Sequence, residues 1–483
     1  MVWYWIIGLM YAGVCVYLGF YTGKKATSTK SYLIGDRSFG PFVIACTWAA
    51  TWVSASCFLG AGGLSYRYGW PGLVSLVPWL GGLVFPLVVA GKRLHLFTDA
   101  LNVVSIADYL GTRVDSKFVR SFVSLIVIGF YVPVIMAQFK GAGVATAALM
   151  NIPYEWAVLG AGLIIVFYNT MGGFRADAYS DVFQSLVMAL AVIIAIPSVI
   201  WALGGFNAIN LKLAAQDPGL IAFTEPKLFT LENQLLAFLF VPGVALAGPI
   251  YTVRFQVMRD WRILKKVLIY AAIFSVLFNF VVFMGVAARA EYGLTLKNAD
   301  MAIPTLVMDK LHPILGALLI IGILAAMMST TDSLMLVVGT ALAHDILKKS
   351  YWENIEDRRM LMISRTIMIL IGFICLFLAF VKPPPFLSLL LYFGLGGMGA
   401  SFLGPLLLTL YSKKITKTAC VIAIPLSLVF YIVIYFKQFG IGFSVWKAGL
   451  IGMVFSIAVT YILSLITKQT ISEETMKKVS KVI

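Results

Sequence analysis

Charged side chains are scarce in this sequence. Asp, Glu, Lys and Arg make up 12% of the 483 residues, whereas 61% are hydrophobic and the mean hydropathy is +0.94. A soluble protein of this length carries far more charge on its surface. The composition therefore excludes a soluble enzyme or binding domain and predicts an integral membrane protein.

Residues that bind metals or act as nucleophiles are also few. The five cysteines form no CxxC pair, and only three histidines occur. The sequence has no HExxH zinc-protease motif and no Walker A glycine pattern before a GK[ST]. We therefore expect the cysteines to be small buried hydrophobic residues, and we exclude a zinc protease and an ATP-driven pump.

Long apolar stretches take up most of the chain. A membrane-spanning helix needs about 20 mainly apolar residues, and thirteen stretches meet this requirement. They cover residues 3–21, 39–63, 72–91, 121–149, 154–172, 179–203, 234–253, 267–288, 312–346, 361–381, 386–411, 418–436 and 444–467. Residues 1–483 are therefore expected to form one all-α membrane domain.

Most of the 37 Lys and Arg residues lie in alternate loops, beginning with the loop after the first stretch, and in the C-terminal tail. This asymmetry is the positive-inside bias of plasma-membrane proteins. It predicts that the N-terminus is outside and the C-terminus is cytoplasmic. The net charge of +16 then faces anionic lipid, so it indicates neither a nucleic acid nor an obligate protein partner.

Two stretches contain helix-breaking residues. The second holds the run from Ser54 to Gly63, and the seventh holds Pro242-Gly243 and Gly248-Pro249. Such breaks free backbone groups that lipid cannot satisfy, so they survive where they line a cavity. The breaks are five helices apart, which is the spacing expected of two inverted five-helix repeats, helices 2–6 and 7–11. Helices 1, 12 and 13 would then be peripheral.

One face of the ninth stretch carries small polar residues. Ala326, Ser329, Thr330 and Ser333 are spaced at i, i+3, i+4 and i+7, which places them on one side of a helix. Hydroxyl groups there can coordinate a hard cation, and small residues let a second backbone come close enough to add carbonyl oxygens. The pattern predicts an ion site inside the membrane.

Four segments give the sequence a specific resemblance. They are Ala50–Gly60, Gly172–Gln184, Val253-Arg-Phe255 and Ala325–Thr330. Through them, nearly the whole chain resembles the sodium:solute symporter family. The resemblance implies thirteen transmembrane helices, a leucine-transporter-like core of 5+5 inverted repeats, and uptake of a small solute driven by sodium.

The resemblance also implies a sodium site. Its ligands on this sequence are the carbonyl oxygens of Ala50, Val53 and Ala326 and the hydroxyl oxygens of Ser329 and Thr330. Five uncharged oxygens suit a monovalent cation better than calcium, whose sites usually include carboxylates. The alternative for the two hydroxyls is hydrogen bonding within their own helix.

Two aspartates lie within or beside these helices, where a carboxylate is costly. In the family, an aspartate matching Asp181 lies on the sodium release path or near a second sodium site, to which Ser333 could add a hydroxyl. Asp181 could instead only stabilise a helix end. Asp332 stands where some relatives have a hydroxyl, so it could be structural.

Lys140 departs from the family pattern. An ammonium group deep in the fourth helix must pair, reach the interface or lose its proton. Three interpretations remain open: it binds a substrate carboxylate, it pairs with an intramembrane aspartate, or it replaces sodium in a proton-coupled or uncoupled carrier.

The substrate is expected at the midplane, between the two breaks. The candidate substrate-binding residues are Trp52, Ser54, Ser56, Cys57, Gln138, Lys140 and Tyr251.

The sequence therefore predicts a sodium-coupled symporter, not an enzyme, with sodium as the coupling ion. Its solute is expected to be a small organic acid such as pantothenate, with an amino acid such as proline as the alternative. A channel is the alternative of a different class, but the hydroxyl stripe is too short for a continuous pore.

Overall fold

The computed structural model describes residues 2–24, 28–54, 56–381, 387–439 and 445–483, and this part of the chain is all-helical. Its main helices are α1 (Val2–Gly23), α2 (Pro41–Trp52), α3 (Val77–Val89), α4 (Lys117–Met150), α5 (Tyr154–Ala202), α6 (Leu231–Ala247), α7 (Pro249–Val257), α8 (Leu264–Asn279), α9 (Pro313–Thr340), α10 (Asp357–Val381), α11 (Leu387–Tyr411), α12 (Lys417–Phe439) and α13 (Val445–Ile466). Shorter helical segments join them: Thr29–Ile34, Gly35–Arg37, Ser56–Ala61, Gly62–Tyr68, Trp70–Val74, Gly91–Leu101, Ile106–Arg113, Phe206–Gln216, Pro218–Ile221, Trp261–Ile263, Phe280–Val282, Phe283–Tyr292, Ala299–Met301, Ala302–Lys310, Ala341–Tyr351 and Glu473–Ser480.

Ten single helices of the described chain are long and apolar enough to cross a membrane, and two bent pairs raise this number to as many as twelve. The bent pairs are α2 with Cys57–Tyr68, and α6 with α7. The sequence predicted thirteen spans because it treated residues 154–203 as two helices. In the structure these residues form α5, whose 49 residues run from Tyr154 to Ala202.

A single glycine interrupts α5. Gly173 has φ 57° and ψ −147°, outside the helical region and in the half of conformational space that favours glycine. A Cβ atom at this position would lie 2.3 Å from the carbonyl oxygen of Tyr32. Any larger residue would therefore meet both backbone strain and a steric clash at this kink.

The break between α6 and α7 follows from the Gly248-Pro249 dipeptide. Gly248 is extended, with φ −73° and ψ 111°, and Pro249 occupies the first turn of α7. Proline has no N–H group to continue the hydrogen bonds of α6, whereas it is well suited to begin a helix. The two helices consequently meet at an angle of 53°.

The break after α2 leaves carbonyl oxygens outside the helical ladder. Val53 caps α2 in an extended conformation, with φ −99° and ψ 112°, and the chain becomes helical again at Ser56. The carbonyl groups before this break point toward α9. That helix packs against α2, α4 and α5 and is buried along almost its whole length. Such burial on all sides is typical of a central helix.

Candidate functional site

Carbonyl oxygens from the end of α2 and hydroxyls from the middle of α9 meet in the core. The Ser329 hydroxyl lies 3.0 Å from the carbonyl oxygens of both Ala50 and Ala326. The Thr330 hydroxyl lies 3.1 Å from Ala326 O and 3.5 Å from Val53 O. All five residues are at most 3% exposed. The structure thus brings together every oxygen of the predicted sodium site, and the role of these oxygens in binding sodium stays a prediction.

The donor set fits a monovalent hard cation. It consists of neutral carbonyl and hydroxyl oxygens, which alkali and alkaline-earth ions prefer to nitrogen and sulfur. The carbonyl oxygen of Thr51 lies 3.4 Å from the Thr330 hydroxyl and could add a sixth oxygen. The two hydroxyls also donate to Ala326 in their own helix, so the hydrogen bonds within α9 and the contacts to α2 coexist.

A polar cluster lies one turn of α9 beyond the candidate sodium site. A buried arginine from α7 occupies its centre. The Arg254 guanidinium from α7 donates to the hydroxyls of Thr51 and Ser333, both at 2.6 Å, and to that of Thr47 at 3.0 Å. The Thr51 and Ser333 hydroxyls are 3.2 Å apart. Arg254 is fully buried, so it depends on these groups and on nearby carboxylates for its stability.

The carboxylates are Asp177 and Asp181 of α5. Their Oδ2 atoms lie 3.6 Å and 3.7 Å from Arg254 Nη2. Ser333 donates to Asp177 Oδ1 at 2.7 Å, and Thr47 donates to Asp181 Oδ2. Both predicted residues of the second site or release path, Asp181 and Ser333, therefore lie in one cluster.

Sequence reasoning missed the centre of this cluster. Asp177 and Arg254 both lie within segments that carry the family resemblance, yet neither was assigned a role. The sequence does contain a signal for this cluster, because an arginine and two aspartates within apolar helices need charged or polar partners inside the membrane. Which residues pair cannot be read from the sequence, since α5 and α7 are far apart along the chain.

Asp332 contacts a neighbouring helix. Its Oδ2 atom accepts a hydrogen bond from the Tyr168 hydroxyl of α5, and its backbone carbonyl accepts one from the Asn169 amide at 3.2 Å. Asp332 is fully buried. These contacts favour the structural interpretation, in which Asp332 fixes α9 against α5.

A cavity lies beside the α2 break, and Thr51, which contacts Arg254, is part of its lining. Four of the predicted substrate-binding residues line it: Trp52, Ser54, Cys57 and Tyr251. Trp52 packs against Tyr251 with ring centroids 4.7 Å apart. The side chain of Ser56 lies outside the described part of the chain. The lining also includes residues that sequence reasoning did not assign to solute binding, among them Tyr131, Asn279, Thr330 and Tyr392.

Gln138 and Lys140 are not among the described residues that line this cavity. The residues of α4 in the lining are Tyr131 and Val134. Lys140 follows Tyr131 by nine residues, about two and a half helical turns, so it points to the opposite side of α4. Gln138 shares the face of Val134 but lies a full turn beyond it. The role of these two residues in binding the solute stays a prediction.

Lys140 lies instead within electrostatic range of Asp300, in the loop before α9. Burial raises the pKa of Asp300 above its ordinary value, while the positive charges of Lys140 and Arg67 act to lower it. The carboxyl of Asp300 thus depends on two basic side chains from other parts of the chain.

The comparisons with known proteins identify the family of the chain. The model of the sodium:solute symporter family matches residues 32–424. The sodium/pantothenate symporter of Haemophilus influenzae is 29% identical over 398 residues, which are 81% of this chain and 81% of the relative. The high-affinity proline transporter PutP of Bacillus subtilis is 26% identical over 415 residues, which are 83% and 85% of the two chains.

Two solved structures share the fold. A sodium-coupled sialic acid symporter in a substrate-bound, outward-open state superimposes with a TM-score of 0.83 at 19% identity, covering 97% of this chain and 98% of the other. Mhp1, a transporter of the nucleobase-cation-symport-1 family, gives a TM-score of 0.58 at 14% identity, with 94% and 98% covered. At these identities the likeness concerns the fold alone.

Proposed function

The chain belongs to the sodium:solute symporter family, and we propose that it couples the inward movement of one sodium ion to the uptake of a small organic acid. As a member of this family it is a multi-pass membrane transporter that moves a solute together with sodium. The observation that carries the proposal is the meeting of α2 and α9, where the oxygens of the candidate ion site adjoin a cavity.

The sodium ion is proposed to bind among Ala50 O, Val53 O, Ala326 O, Ser329 Oγ and Thr330 Oγ1. Support comes from their convergence within hydrogen-bonding distance and from their burial. A bound ion would take the place of hydrogen bonds that now join the two helices. It would satisfy the carbonyl groups that the α2 break leaves outside the ladder.

Coupling between ion and solute follows from the residues that they share. Thr330 is one of the proposed sodium ligands, and it also lines the cavity. Ala50 and Val53 of the proposed ion site flank Thr51 and Trp52, which line the cavity. An ion that fixes the conformation of this segment therefore also fixes one wall of the solute site, so each ligand favours the other.

The solute is proposed to be a carboxylate. The described lining of the cavity carries hydroxyl, amide, thiol and aromatic groups but no charged side chain. The charge of an anion would then be offset by the nearby sodium ion rather than by Lys140. Pantothenate and proline, the solutes in the names of the relatives, both contain a carboxylate group. An amino acid such as proline is the second candidate.

A single sodium ion is proposed because a cation of the protein already lies at the second location. The Arg254 guanidinium contacts Ser333 and is close to Asp177 and Asp181, which are the groups that a further ion would need. Asp181 would assist release, since a carboxylate beside the ion path attracts an outgoing cation.

We also propose thirteen membrane spans arranged as two inverted repeats with the N-terminus outside. A 49-residue helix is about 73 Å long at ~1.5 Å per residue, more than twice the ~30 Å hydrocarbon thickness. Division of α5 at Gly173 gives two spans of ordinary length and brings the total to thirteen. Residues 1–483 would then be one membrane domain, with helices 2–6 facing helices 7–11.

Reconstituted protein in proteoliposomes tests this function. Radiolabelled carboxylates, amino acids and sugars are offered with an inward sodium gradient, with an equal potassium gradient, with a proton gradient, or with none of these. Accumulation of a carboxylate above equilibrium with sodium alone is expected. Accumulation driven by a proton gradient without sodium would favour the carrier in which Lys140 replaces sodium. Equilibration without accumulation would contradict coupled transport and favour an uncoupled carrier or a channel.

Variants connect this assay to the ion site. Ser329→Ala and Thr330→Ala each remove one proposed ligand, which is worth about 1–3 kcal/mol, or roughly a 5- to 150-fold higher sodium concentration for half-maximal uptake. Thr331→Ala is the matched control, because the Thr331 hydroxyl is equally buried but donates to Met327 O within α9. Unchanged sodium dependence in both ligand variants would contradict the proposed site.

A further inference from the structure

Three buried side chains meet where α9 continues into the segment Ala341–Tyr351. His344 and Asp345 belong to this segment, and Asp108 belongs to the helix Ile106–Arg113. One ligand atom from each lies within 4.8 Å of the others. Asp108 and Asp345 are at most 1% exposed and His344 is 6% exposed. The proposed transport mechanism gives none of them a role.

The facing atoms of this cluster suit one small ion. His344 Nε2 lies 3.4 Å from Asp108 Oδ2. Two ligands at about 2.0–2.2 Å from a tetrahedral zinc ion are themselves about 3.3–3.6 Å apart. Within the described chain, His344 Nδ1 and Asp345 Oδ1 make no hydrogen bond, and the charged group near His344 Nε2 is Asp108. Buried polar atoms seldom lack a partner, so these atoms indicate a ligand.

Other contacts hold the two carboxylates in place. Asp345 Oδ2 accepts a hydrogen bond from Ser105 at 2.7 Å, and Asp108 Oδ1 lies 3.2 Å from Arg120 Nε. Asp108 Oδ2 also accepts the backbone N–H of Val104 at 3.2 Å. Such outer contacts orient the ligands of metal sites. Arg120 offsets the charge of Asp108.

We propose that Asp108, His344 and Asp345 bind a divalent transition-metal ion, for which zinc is the best match. One imidazole nitrogen and two carboxylate oxygens are ligands that zinc accepts in sites with three protein ligands, where water completes the tetrahedron.

Metal binding at this position would connect two parts of the fold. The ion would join the helix Ile106–Arg113 to the continuation of α9, and α9 carries Ser329 and Thr330. The metal-bound protein is therefore expected to complete its transport cycle more slowly. This consequence rests on the proposed function, whereas binding itself does not.

Cobalt(II), a spectroscopic substitute for zinc, tests the site on the purified full-length protein in detergent. One equivalent is expected to bind with the visible d–d absorption of a tetrahedral nitrogen and oxygen site, and zinc is expected to displace it. His344→Ala and Asp345→Asn should each weaken binding at least about tenfold. His312→Asn is the control, since it changes the N-cap histidine at the other end of α9 to a residue that also caps helices.

Three results would overturn the site: no binding of one equivalent by the wild-type protein, equal binding by His344→Ala, or an equal loss in His312→Asn. X-ray absorption of the zinc-loaded wild-type protein needs no variant, so it decides the question even if the variants do not fold. It should show one imidazole and otherwise oxygen ligands, and a sulfur ligand would overturn the assignment. Equal solute uptake with and without bound zinc would overturn the inferred effect on transport.

Discussion

The hydroxyl oxygen of Ser329 lies 3.0 Å from the carbonyl oxygen of Ala50, 279 residues away along the chain. The contact joins the middle of the central helix α9 to the broken end of α2. Since the same end of α2 continues into the cavity wall, one short contact links the candidate ion site to the candidate solute site. The predictions below test the groups around this contact.

The positive charge of Arg254 is expected to take the place of a second sodium ion. Arg254→Ala leaves Asp177 and Asp181 buried without their counter-charge, which costs about 3–5 kcal/mol. The midpoint of thermal unfolding in potassium should therefore fall. It should recover as sodium is added, because the two carboxylates can then hold an ion.

Arg262→Ala is the control for this prediction, since Arg262 lies just beyond the end of α7, in the segment Trp261–Ile263, and its side chain is 78% exposed. Its unfolding midpoint should match that of the wild type in both salts. If sodium stabilises Arg254→Ala no more than it stabilises the wild type, Arg254 does not stand in for a second ion.

Asp181 is expected to affect turnover rather than solute choice. Asp181→Asn keeps a group that can accept the Thr47 hydrogen bond but removes the charge beside the proposed release path. A turnover about tenfold lower, equivalent to ~1.4 kcal/mol, is expected with an unchanged order of preferred solutes. A normal turnover with a changed order of solutes would assign Asp181 to the solute site instead.

Lys140 and Asp300 are expected to act as a pair. Lys140→Met leaves the partly buried Asp300 carboxylate with one basic neighbour fewer, so it should reduce the uptake of charged and neutral solutes alike. Asp300→Asn in the same chain should restore part of the loss, and a double-mutant cycle on uptake rates measures this coupling. If Lys140→Met reduced the uptake of carboxylates only, Lys140 would instead be assigned to the solute site.

Asn279 is expected to contact the solute. Its side chain lines the cavity, accepts a hydrogen bond from the Cys57 thiol at 3.2 Å and donates to Ser275 O at 2.7 Å. Asn279→Leu keeps the size and removes the polar groups, so the solute KM should rise about tenfold, the effect of roughly one lost hydrogen bond.

The sodium concentration for half-maximal uptake should stay the same in Asn279→Leu, because Asn279 contributes no oxygen to the ion site. The matched control is Asn210→Leu, which removes an amide that bonds to Trp70 away from the cavity. An equal rise of KM in both variants would mean that Asn279 has no specific contact with the solute.

The ion site was the part of the molecule most accessible from sequence. Helical spacing places Ser329 and Thr330 on one face, and the glycine-rich break after α2 exposes carbonyl groups. Both signals are local, and the family resemblance aligns them. The all-helical membrane class also followed from composition alone.

Long-range pairings were not accessible. The contacts of Arg254 with Asp177 and Asp181 join α7 to α5, and no local pattern encodes the distance between those helices. Lys140 shows the same difficulty, because its depth in the membrane was evident whereas its direction depends on how α4 is rotated. The helix count depends on Gly173, whose kink interrupts α5 between the predicted stretches 154–172 and 179–203.

Equilibrium binding of radioactive sodium to the purified protein tests the central claim most directly, since it requires no knowledge of the solute. One sodium ion per chain is expected to bind to the wild type and to Thr331→Ala, and the double variant Ser329→Ala/Thr330→Ala should lose this binding. Sodium bound by the double variant as tightly as by the wild type would contradict the account.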